Sequence, residues 1–268
     1  MCGLSGVSRA SYYRSLKISP GDEKECELRD EIEQIALQWE YYGSRRIQQE
    51  LIRRDWEVGR ALVQRILREN GLLCLRQPTG WLKTTDSKHG LPVFPNLVSD
   101  WRPTAVNQLW VTDITYIRLR NRFVFLAAIL DAFSRRVIGW GLEQHFRAEL
   151  CIQALEMALA ARHYPKGVIH HSDRGVQYCS REYTALLAKY AMRGSMARKG
   201  NPYDNAIAES FWKTLKYEQV YRNEYRTIEE ARAQIASFIE SVYNERRLHS
   251  ALGYVPPAEY EIAAREPR

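Results

Sequence analysis

Three acidic residues, Asp113, Asp173 and Glu209, lie in three different local patterns of the sequence. Asp113 lies inside a strand-like run, Asp173 follows a second strand-like run, and Glu209 lies inside a helix-like run. Carboxylates that converge from two strands and a helix can supply the oxygen ligands that Mg²⁺ prefers. Two such ions about 3.5–4 Å apart catalyse in-line displacement at phosphorus. These residues therefore predict cleavage and joining of nucleic acid.

Each of the three acids also has an ordinary structural explanation. Asp113 could be an outward-facing strand residue, and Asp173 could form a turn before Gly175. Glu209 could pair with Lys213, four residues later on a solvated helix face. The metal-binding interpretation is favoured because an unpaired charge inside an apolar strand is costly. It is also favoured because the ends of strands in α/β sheets often carry functional groups.

The run around Glu209 predicts a helix over residues 202–218, with Asn201 as its N-cap and Pro202 in its first turn. Spacings of four, four and three residues place four polar side chains on one face of this helix: Asn205, Glu209, Lys213 and Lys216. A carboxylate that holds a metal ion, followed by cations that can hold the adjacent phosphate, suits a DNA strand that crosses the helix.

Composition agrees with a nucleic-acid partner and excludes several other classes of protein. The chain has 268 residues, a net charge of +7 and 45% hydrophobic residues, so it is basic and able to form a packed core. Its five cysteines are scattered without a CxxC pair, which favours a reducing compartment. The longest apolar run, residues 123–130, is too short to span a bilayer, and the N-terminus has no apolar signal core. We therefore expect a cytoplasmic protein without a membrane partner.

Residues 1–75 predict an all-α domain with a helix-turn-helix-like arrangement, because two short helical runs follow a longer one. Residues 42–70 carry seven arginines against four acids. The arginines that we single out as candidate DNA contacts are Arg45, Arg46, Arg60 and Arg65. A small helical bundle with a solvated basic face is the alternative.

Residues 76–104 have the proline, glycine and charge content of a linker, and the pattern then changes to strands. Over residues 105–222 the predicted order is β-β-β-α-β-α-β-α. This order is typical of an α/β, ribonuclease-H-like mixed five-stranded sheet with flanking helices, in which the first and fourth strands are neighbours. Residues 223–268 predict a helical C-terminal extension.

Five segments carry a resemblance to a known family: WVTDITYI, LDAFSRRVIGW, HSDRGVQY, GNPYDNAIAESFWKTLKYE and YNERRLHSALGYVPPAEY. In this order they resemble the integrase catalytic core of retroviral integrases and bacterial transposases. The chain is most similar to the second-frame (OrfB) protein of the third insertion-sequence family. The 35 residues between Asp173 and Glu209 are typical of that family, and Lys216 occupies its downstream basic position. The segment YYGSRRIQQEL resembles the helix-turn-helix that precedes this core.

The resemblance implies a DNA transposase that nicks the 3′ end of an insertion element and transfers the strand to a target. It further implies that Asp113, Asp173 and Glu209 form an Asp-Asp-Glu triad. Asp113 would bridge two Mg²⁺ ions, for which Mn²⁺ can substitute, and the other two acids would each hold one. The implied partners are double-stranded DNA, both terminal inverted repeats and target, and a second copy of the chain. A first-frame helix-turn-helix protein is often fused to this family by frameshift, so this chain could be the downstream part of such a fusion.

Other residues are weaker candidates for contact with DNA. These candidates are His171, Gln177 and Tyr178 beside Asp173, and Arg246 and Arg247 in the segment NERRLHS. A structural histidine and a solvated helix end agree equally well with the sequence. Two alternative functions also stay open, namely a catalytically silent DNA-binding regulator and a ribonuclease-H-type hydrolase that acts on RNA in a hybrid.

Overall fold

Apolar residues at helical spacing form three helices in the first part of the computed structural model, which describes residues 20–74, 93–99, 101–198 and 202–265. The helices are α1 (Pro20–Gln38), α2 (Ser44–Arg53) and α3 (Arg60–Glu69). Their inward-facing residues are Leu28, Ile32, Ile35, Ile47, Leu51, Val63, Ile66 and Leu67. The short turn between α2 and α3 gives the predicted helix-turn-helix order. These helices belong to the first of two compact units, Met1–Pro78, and the remainder of the chain forms the second, Thr79–Arg268.

The second unit is built on a mixed five-stranded sheet with the order β3-β2-β1-β4-β5. Its strands are β1 (Leu109–Arg118), β2 (Phe123–Asp131), β3 (Val137–Glu143), β4 (Ile169–Ser172) and β5 (Arg193–Met196). The first three strands form an antiparallel meander, because short turns join them. Strand β4 lies parallel to β1, and β5 lies parallel to β4. The predicted ribonuclease-H-like sheet, with the first and fourth strands adjacent, is confirmed.

Helices cover both faces of this sheet. They are α4 (Ala148–Ala161), α5 (Arg181–Lys189), α6 (Ala206–Glu218), α7 (Ile228–Ser237) and α8 (Pro257–Ala263). One apolar cluster joins one face of the sheet to α6 and α7, and a second cluster joins the other face to α4 and α5. Helix α4 approaches β3 so closely that a Cβ atom at Gly139 would overlap the Ala154 carbonyl oxygen. Helix α7 continues into a π-helical segment, Phe238–Tyr243.

The α-helix predicted over residues 202–218 starts at Ala206. A 3₁₀ turn, Pro202–Asn205, precedes it. The side chain of Asp204 explains the difference, because it accepts hydrogen bonds from the backbone N–H of Arg198 (2.8 Å) and from the Asn96 amide (2.9 Å). These bonds hold the turn against the sheet. Asn205 therefore takes the N-cap position, and the predicted N-cap, Asn201, lies outside the described residues.

Part of the segment predicted to be a linker, residues 93–99, packs within the second unit. The backbone N–H of Leu97 donates to the hydroxyl of Ser195 (2.9 Å), and Phe94 joins the apolar cluster beneath α4 and α5. A Cβ atom at Gly194 would lie only 2.8 Å from the ring of Phe94, so this position has room for glycine alone. Residues 93–99 are thus packed into the second unit and do not form a free linker. Across the described parts of the chain, none of the helices combines the length and the apolar character that a membrane span requires.

Candidate active site

Strand pairing brings two of the predicted catalytic acids to the same level of the sheet. In the parallel pair β1–β4, Val111 lies opposite His171. Two residues after Val111, Asp113 lies in β1; two residues after His171, Asp173 directly follows β4. Since side chains alternate between the faces of a sheet, residues two positions on from a matched pair point to the same side. The register of β1 and β4 therefore leads the chain to Asp113 and Asp173 near each other, and the charge of Asp173 raises the pKa of Asp113.

The Asp113 carboxylate is half-buried and accepts hydrogen bonds only from neutral donors among the described residues. Its Oδ1 accepts from its neighbour, the Ile114 N–H (2.9 Å), and its Oδ2 accepts from the indole Nε1–H of Trp212 (3.0 Å). Burial, together with repulsion from Asp173 and more weakly from Glu209, raises the pKa of Asp113 to about 7. The negative charges of both other acids therefore act on Asp113.

Asp173 and Glu209 border the same site from a loop and from a helix. The Oδ1 of Asp173 accepts a hydrogen bond from the Gly175 N–H (2.9 Å), which closes a tight turn after β4. Glu209 lies exposed in the first turn of α6, where a helix best tolerates negative charge. One acid is thus held by its turn, and the other faces solvent.

The donor set fits a hard divalent cation, because all three side chains supply carboxylate oxygens and because a cation would relieve the repulsion that raises the pKa of Asp113. Within the described ranges, no group of three or more Asp, Glu, His or Cys side chains is arranged as a ready-made metal site. The structure therefore shows suitable ligands and crowded charge, and it does not show a closed coordination cage.

Lys216 lies on the Asp113 side of α6. Its ammonium nitrogen lies 4.4 Å from the centroid of the Tyr116 ring, a cation–π contact. Burial lowers the pKa of Lys216, and attraction to Asp113 opposes this effect. Lys213 is exposed on the same helix. Asn205 departs from the predicted common face, because the 3₁₀ turn carries it inward and only 7% of it is exposed.

The three candidates for DNA contact beside Asp173 are buried, so the structure corrects that prediction. The hydroxyl of Tyr178 is hydrogen-bonded to that of Thr112 (3.2 Å), and the Nδ1 of His171 is hydrogen-bonded to the hydroxyl of Ser195 (2.9 Å). The amide of Gln177 donates to the carbonyl of Phe146 (3.3 Å). Their polar groups thus bind inside the protein and do not face a DNA strand.

The two arginines of the NERRLHS segment have different surroundings. Arg247 is buried, and its guanidinium donates to both carboxylate oxygens of Glu218 at the end of α6 (2.8 and 2.6 Å). The predicted DNA contact of Arg247 is therefore corrected to a structural ion pair. Arg246 is exposed and donates to the Ser241 carbonyl (2.7 Å), so it stays a candidate.

In the first unit, Arg45 and Arg60 are exposed near the starts of α2 and α3. Arg46 packs over the ring of Tyr42, 5.5 Å from its centroid. Arg65 is exposed but lies within ion-pair distance of two glutamates, Glu25 and Glu69. Arg45 and Arg60 thus remain the stronger candidates for contact with phosphates.

Sequence reasoning missed one residue of the site, Trp212. Its position three residues after Glu209 places it on a neighbouring stripe of the helix, which is the available signal. Nothing in the sequence shows that its N–H, rather than its ring alone, has a partner.

Comparison with known proteins identifies the family to which the chain is similar. Two models described as "Integrase core domain" match residues 103–202 and 190–257, and a model described as "HTH-like domain" matches residues 23–79. The chain is 40% identical to an uncharacterized 31 kDa protein of insertion element IS600 from Shigella sonnei, over 97% of both chains. It is 35% identical to transposase InsF of insertion sequence IS3A from Escherichia coli (strain K12), over 97% of this chain and 92% of InsF.

A solved structure supports the fold. The chain resembles a chain of the simian T-cell lymphotropic virus intasome in complex with the PP2A regulatory subunit B56 gamma, with a TM-score of 0.50 and 16% sequence identity. The match covers 89% of this chain and 75% of the matched chain. At this identity the likeness bears on the fold alone.

Proposed function

This chain belongs to the IS3 family of insertion-sequence transposases, and we propose from this premise that it performs metal-dependent 3′-end nicking and strand transfer of an insertion element. In nicking, water displaces a DNA 3′-oxygen at phosphorus; in strand transfer, which is polynucleotidyl transfer, the freed 3′-hydroxyl displaces another 3′-oxygen at phosphorus. One bond to phosphorus forms as another breaks, so the reaction requires no cofactor for redox or group transfer.

The observation that carries this proposal is the crowding of carboxylates around Asp113. In support of it, Asp113 lies in β1 and Asp173 directly follows its parallel neighbour β4, and the pKa of Asp113 is raised by burial and by the charges of Asp173 and Glu209. An arrangement that disfavours its own negative charge is well suited to bind cations.

We assign Asp113, Asp173 and Glu209 as the residues that would hold two Mg²⁺ ions, or Mn²⁺ in their place. When bound, these ions supply charge neutralisation for the attacking and leaving oxygens. The chain itself supplies orientation. Two N–H donors fix the Asp113 carboxylate, and the Tyr116 ring holds Lys216 beside the site, where its ammonium group can bind a DNA phosphate.

The proposed partners follow from the family and from the charge. Double-stranded DNA, as element ends and as target, would meet the exposed cations Lys213, Arg246, Arg45 and Arg60 and the half-buried Lys216. Joining two element ends requires at least two copies of the chain, so we propose a homodimer or larger assembly. A first-frame helix-turn-helix protein is proposed as a further partner in recognising the ends.

The test is an end-cleavage assay with purified protein, Mg²⁺ and a labelled duplex that carries one terminal inverted repeat of the element. Nicked and joined products are expected from the wild type and are expected to vanish in Asp173→Asn. Asp55→Asn is the matched control, because Asp55 is exposed and its left-handed backbone (φ 63°) suits asparagine equally well.

Products that persist in Asp173→Asn would refute the assignment of the site. Binding of the duplex without Mg²⁺-dependent products would refute the activity and would instead support a silent DNA-binding regulator. An RNA strand cleaved in a hybrid, with DNA ends left intact, would indicate a ribonuclease-H-type hydrolase.

A further inference from the structure

The indole of Trp212 connects the helix of Glu209 to the central acid of the site. Trp212 lies three residues after Glu209 on α6, and its Nε1–H donates to the Oδ2 of Asp113 at 3.0 Å. Only 7% of Trp212 is exposed, so water competes weakly for this bond. The contact thus joins β1 and α6, the two elements that carry Asp113 and Glu209.

We propose that Trp212 is a positioning residue that sets the Asp113 carboxylate for cation binding and fixes its placement relative to Glu209. This inference rests on the proposed function, since it gives Trp212 a part in the same site. An indole N–H suits the task because it donates only and does not titrate. It therefore fixes one carboxylate oxygen at every working pH and never competes for the cation.

Core packing determines where the indole points. The Trp212 ring lies against that of Phe211, with centroids 4.8 Å apart, and Phe211 in turn contacts Tyr243 edge to face. Trp212 belongs to the apolar cluster between the sheet and helices α6 and α7. Because this cluster fixes the ring, rotation of α6 about its axis would break the bond to Asp113.

Both ends of the Glu209 helix are also anchored. In the preceding turn, Asp204 binds the guanidinium of Arg198 (3.0 Å), and hydrogen bonds from Arg198 lower the pKa of Asp204 to about 2. At the other end, Glu218 forms the paired hydrogen bonds with buried Arg247. Helix α6 is thus held at three points, and the middle one is made directly with a catalytic acid.

A purely stabilising role for this hydrogen bond is the alternative, and the chain contains a matched control for it. The indole nitrogen of Trp140 is buried and has no hydrogen-bond partner among the residues that the structure describes. Trp140→Phe therefore replaces an indole by a smaller phenyl ring without removing a described hydrogen bond of that indole, whereas Trp212→Phe makes the same replacement and also removes the bond to Asp113.

The experiment compares the wild type with Trp212→Phe and Trp140→Phe in the full chain. Three quantities are measured: Mn²⁺ affinity by electron paramagnetic resonance, affinity for the element-end duplex, and the cleavage rate at saturating duplex. Loss of a group that orients a metal ligand typically weakens metal binding or activity by about 10- to 100-fold. We expect this loss in Mn²⁺ affinity and cleavage rate for Trp212→Phe, with duplex affinity unchanged and Trp140→Phe close to the wild type.

A spectroscopic measurement tests the same inference without the tryptophan variants having to fold. In wild-type protein with ¹⁵N-labelled tryptophan, the Trp212 indole N–H signal is expected to move when Mg²⁺ is added and when Asp113→Asn is introduced. The Trp140 signal is expected to stay in place. A Trp212 signal that responds to neither change would overturn the inference, as would wild-type Mn²⁺ affinity and rate in a folded Trp212→Phe.

The two proposals fail differently. If the wild type gives no Mg²⁺-dependent DNA products, the proposed function fails, while the Mn²⁺ affinities and indole signals still decide the role of Trp212. If the wild type cleaves DNA and Trp212→Phe cleaves it equally fast, only the role of Trp212 fails.

Discussion

Asp113 and Glu261 are acids of the same folded unit with opposite surroundings. Asp113 accepts hydrogen bonds from a backbone amide and from an indole, which are both neutral donors. Glu261 is 1% exposed and accepts hydrogen bonds from Arg162, Arg136 and Ser134. The pKa of Asp113 is raised to about 7, whereas that of Glu261 is lowered.

The different surroundings of Asp113 and Glu261 indicate different roles for the two acids. Burial by itself would raise the pKa of Glu261, but hydrogen bonds and charge from Arg162, with bonds from Ser134 and Arg136, outweigh it. These contacts attach α8 to the end of α4 and to the turn between β2 and β3. Glu261 is therefore neutralised from within and serves the fold. Asp113 has a raised pKa beside two further acids, and under the proposed function the bound cations would supply its neutralising charge.

The largest effect that this comparison predicts is the loss of activity in Asp113→Asn. We expect Mg²⁺-dependent end cleavage to fall by about 1,000-fold or more, as when other enzymes lose a principal catalytic group. The melting temperature at pH 8 should rise, because the substitution removes a charge that the folded state disfavours. A cleavage assay paired with thermal unfolding checks both results, and a variant that is active or less stable would break the comparison.

Glu261→Gln should produce the opposite pair of effects. It removes from the guanidinium of Arg162, whose side chain is only 7% exposed, the carboxylate that it binds most closely and leaves it only Asp131 at 3.9 Å, and breaking a buried ion pair costs about 3–5 kcal/mol. Urea unfolding should show this decrease in the free energy of unfolding. Cleavage per folded molecule should stay near that of the wild type. Wild-type stability in this variant would contradict the structural role of Glu261.

The pH dependence of stability should separate the two acids further. Because the pKa of Glu261 is lower in the folded protein than in the unfolded chain, its stabilising contribution is present above the unfolded pKa and is lost as the pH falls through the folded pKa. Unfolding free energies measured from pH 6 down to pH 3 should fall less steeply in Glu261→Gln than in the wild type. Parallel curves would show that Glu261 carries no such contribution.

The smallest predicted effect distinguishes Arg136 from Arg162, the two arginines that bind Glu261. The Arg136 side chain is 34% exposed, so solvent screens its bond to Glu261, and Arg136→Gln should decrease the free energy of unfolding by only about 1 kcal/mol. Arg162→Gln, at the buried partner, should decrease it several-fold more. Equal losses in urea unfolding would show that burial does not set the strength of these pairs.

The sequence was sufficient to predict the sheet, because alternating strand patterns and short turns determine strand order, whereas the assignment of the three acids stays a prediction. It was not sufficient to separate Arg246 from Arg247. The π-helical segment Phe238–Tyr243 precedes them and shifts the helical phase, so periodicity no longer tells which neighbour faces inward.

Buried polar contacts were the other part that pattern reasoning missed. His171, Gln177 and Tyr178 have polar groups next to a catalytic acid, and only the packed structure shows that these groups bind inside the protein. The partners of Glu261 lie about a hundred or more residues earlier in the chain, so no local spacing indicates them. Long-range hydrogen bonds between polar side chains leave no periodic signal.

Calorimetric titration with Mn²⁺ in the absence of DNA tests most directly whether Asp113 belongs to a site that takes its neutralising charge from a ligand. The wild type and Glu261→Gln, measured at a temperature where both are folded, should bind Mn²⁺ with the same affinity, and Asp113→Asn should show no measurable binding. Equal binding by the wild type and Asp113→Asn would contradict the account.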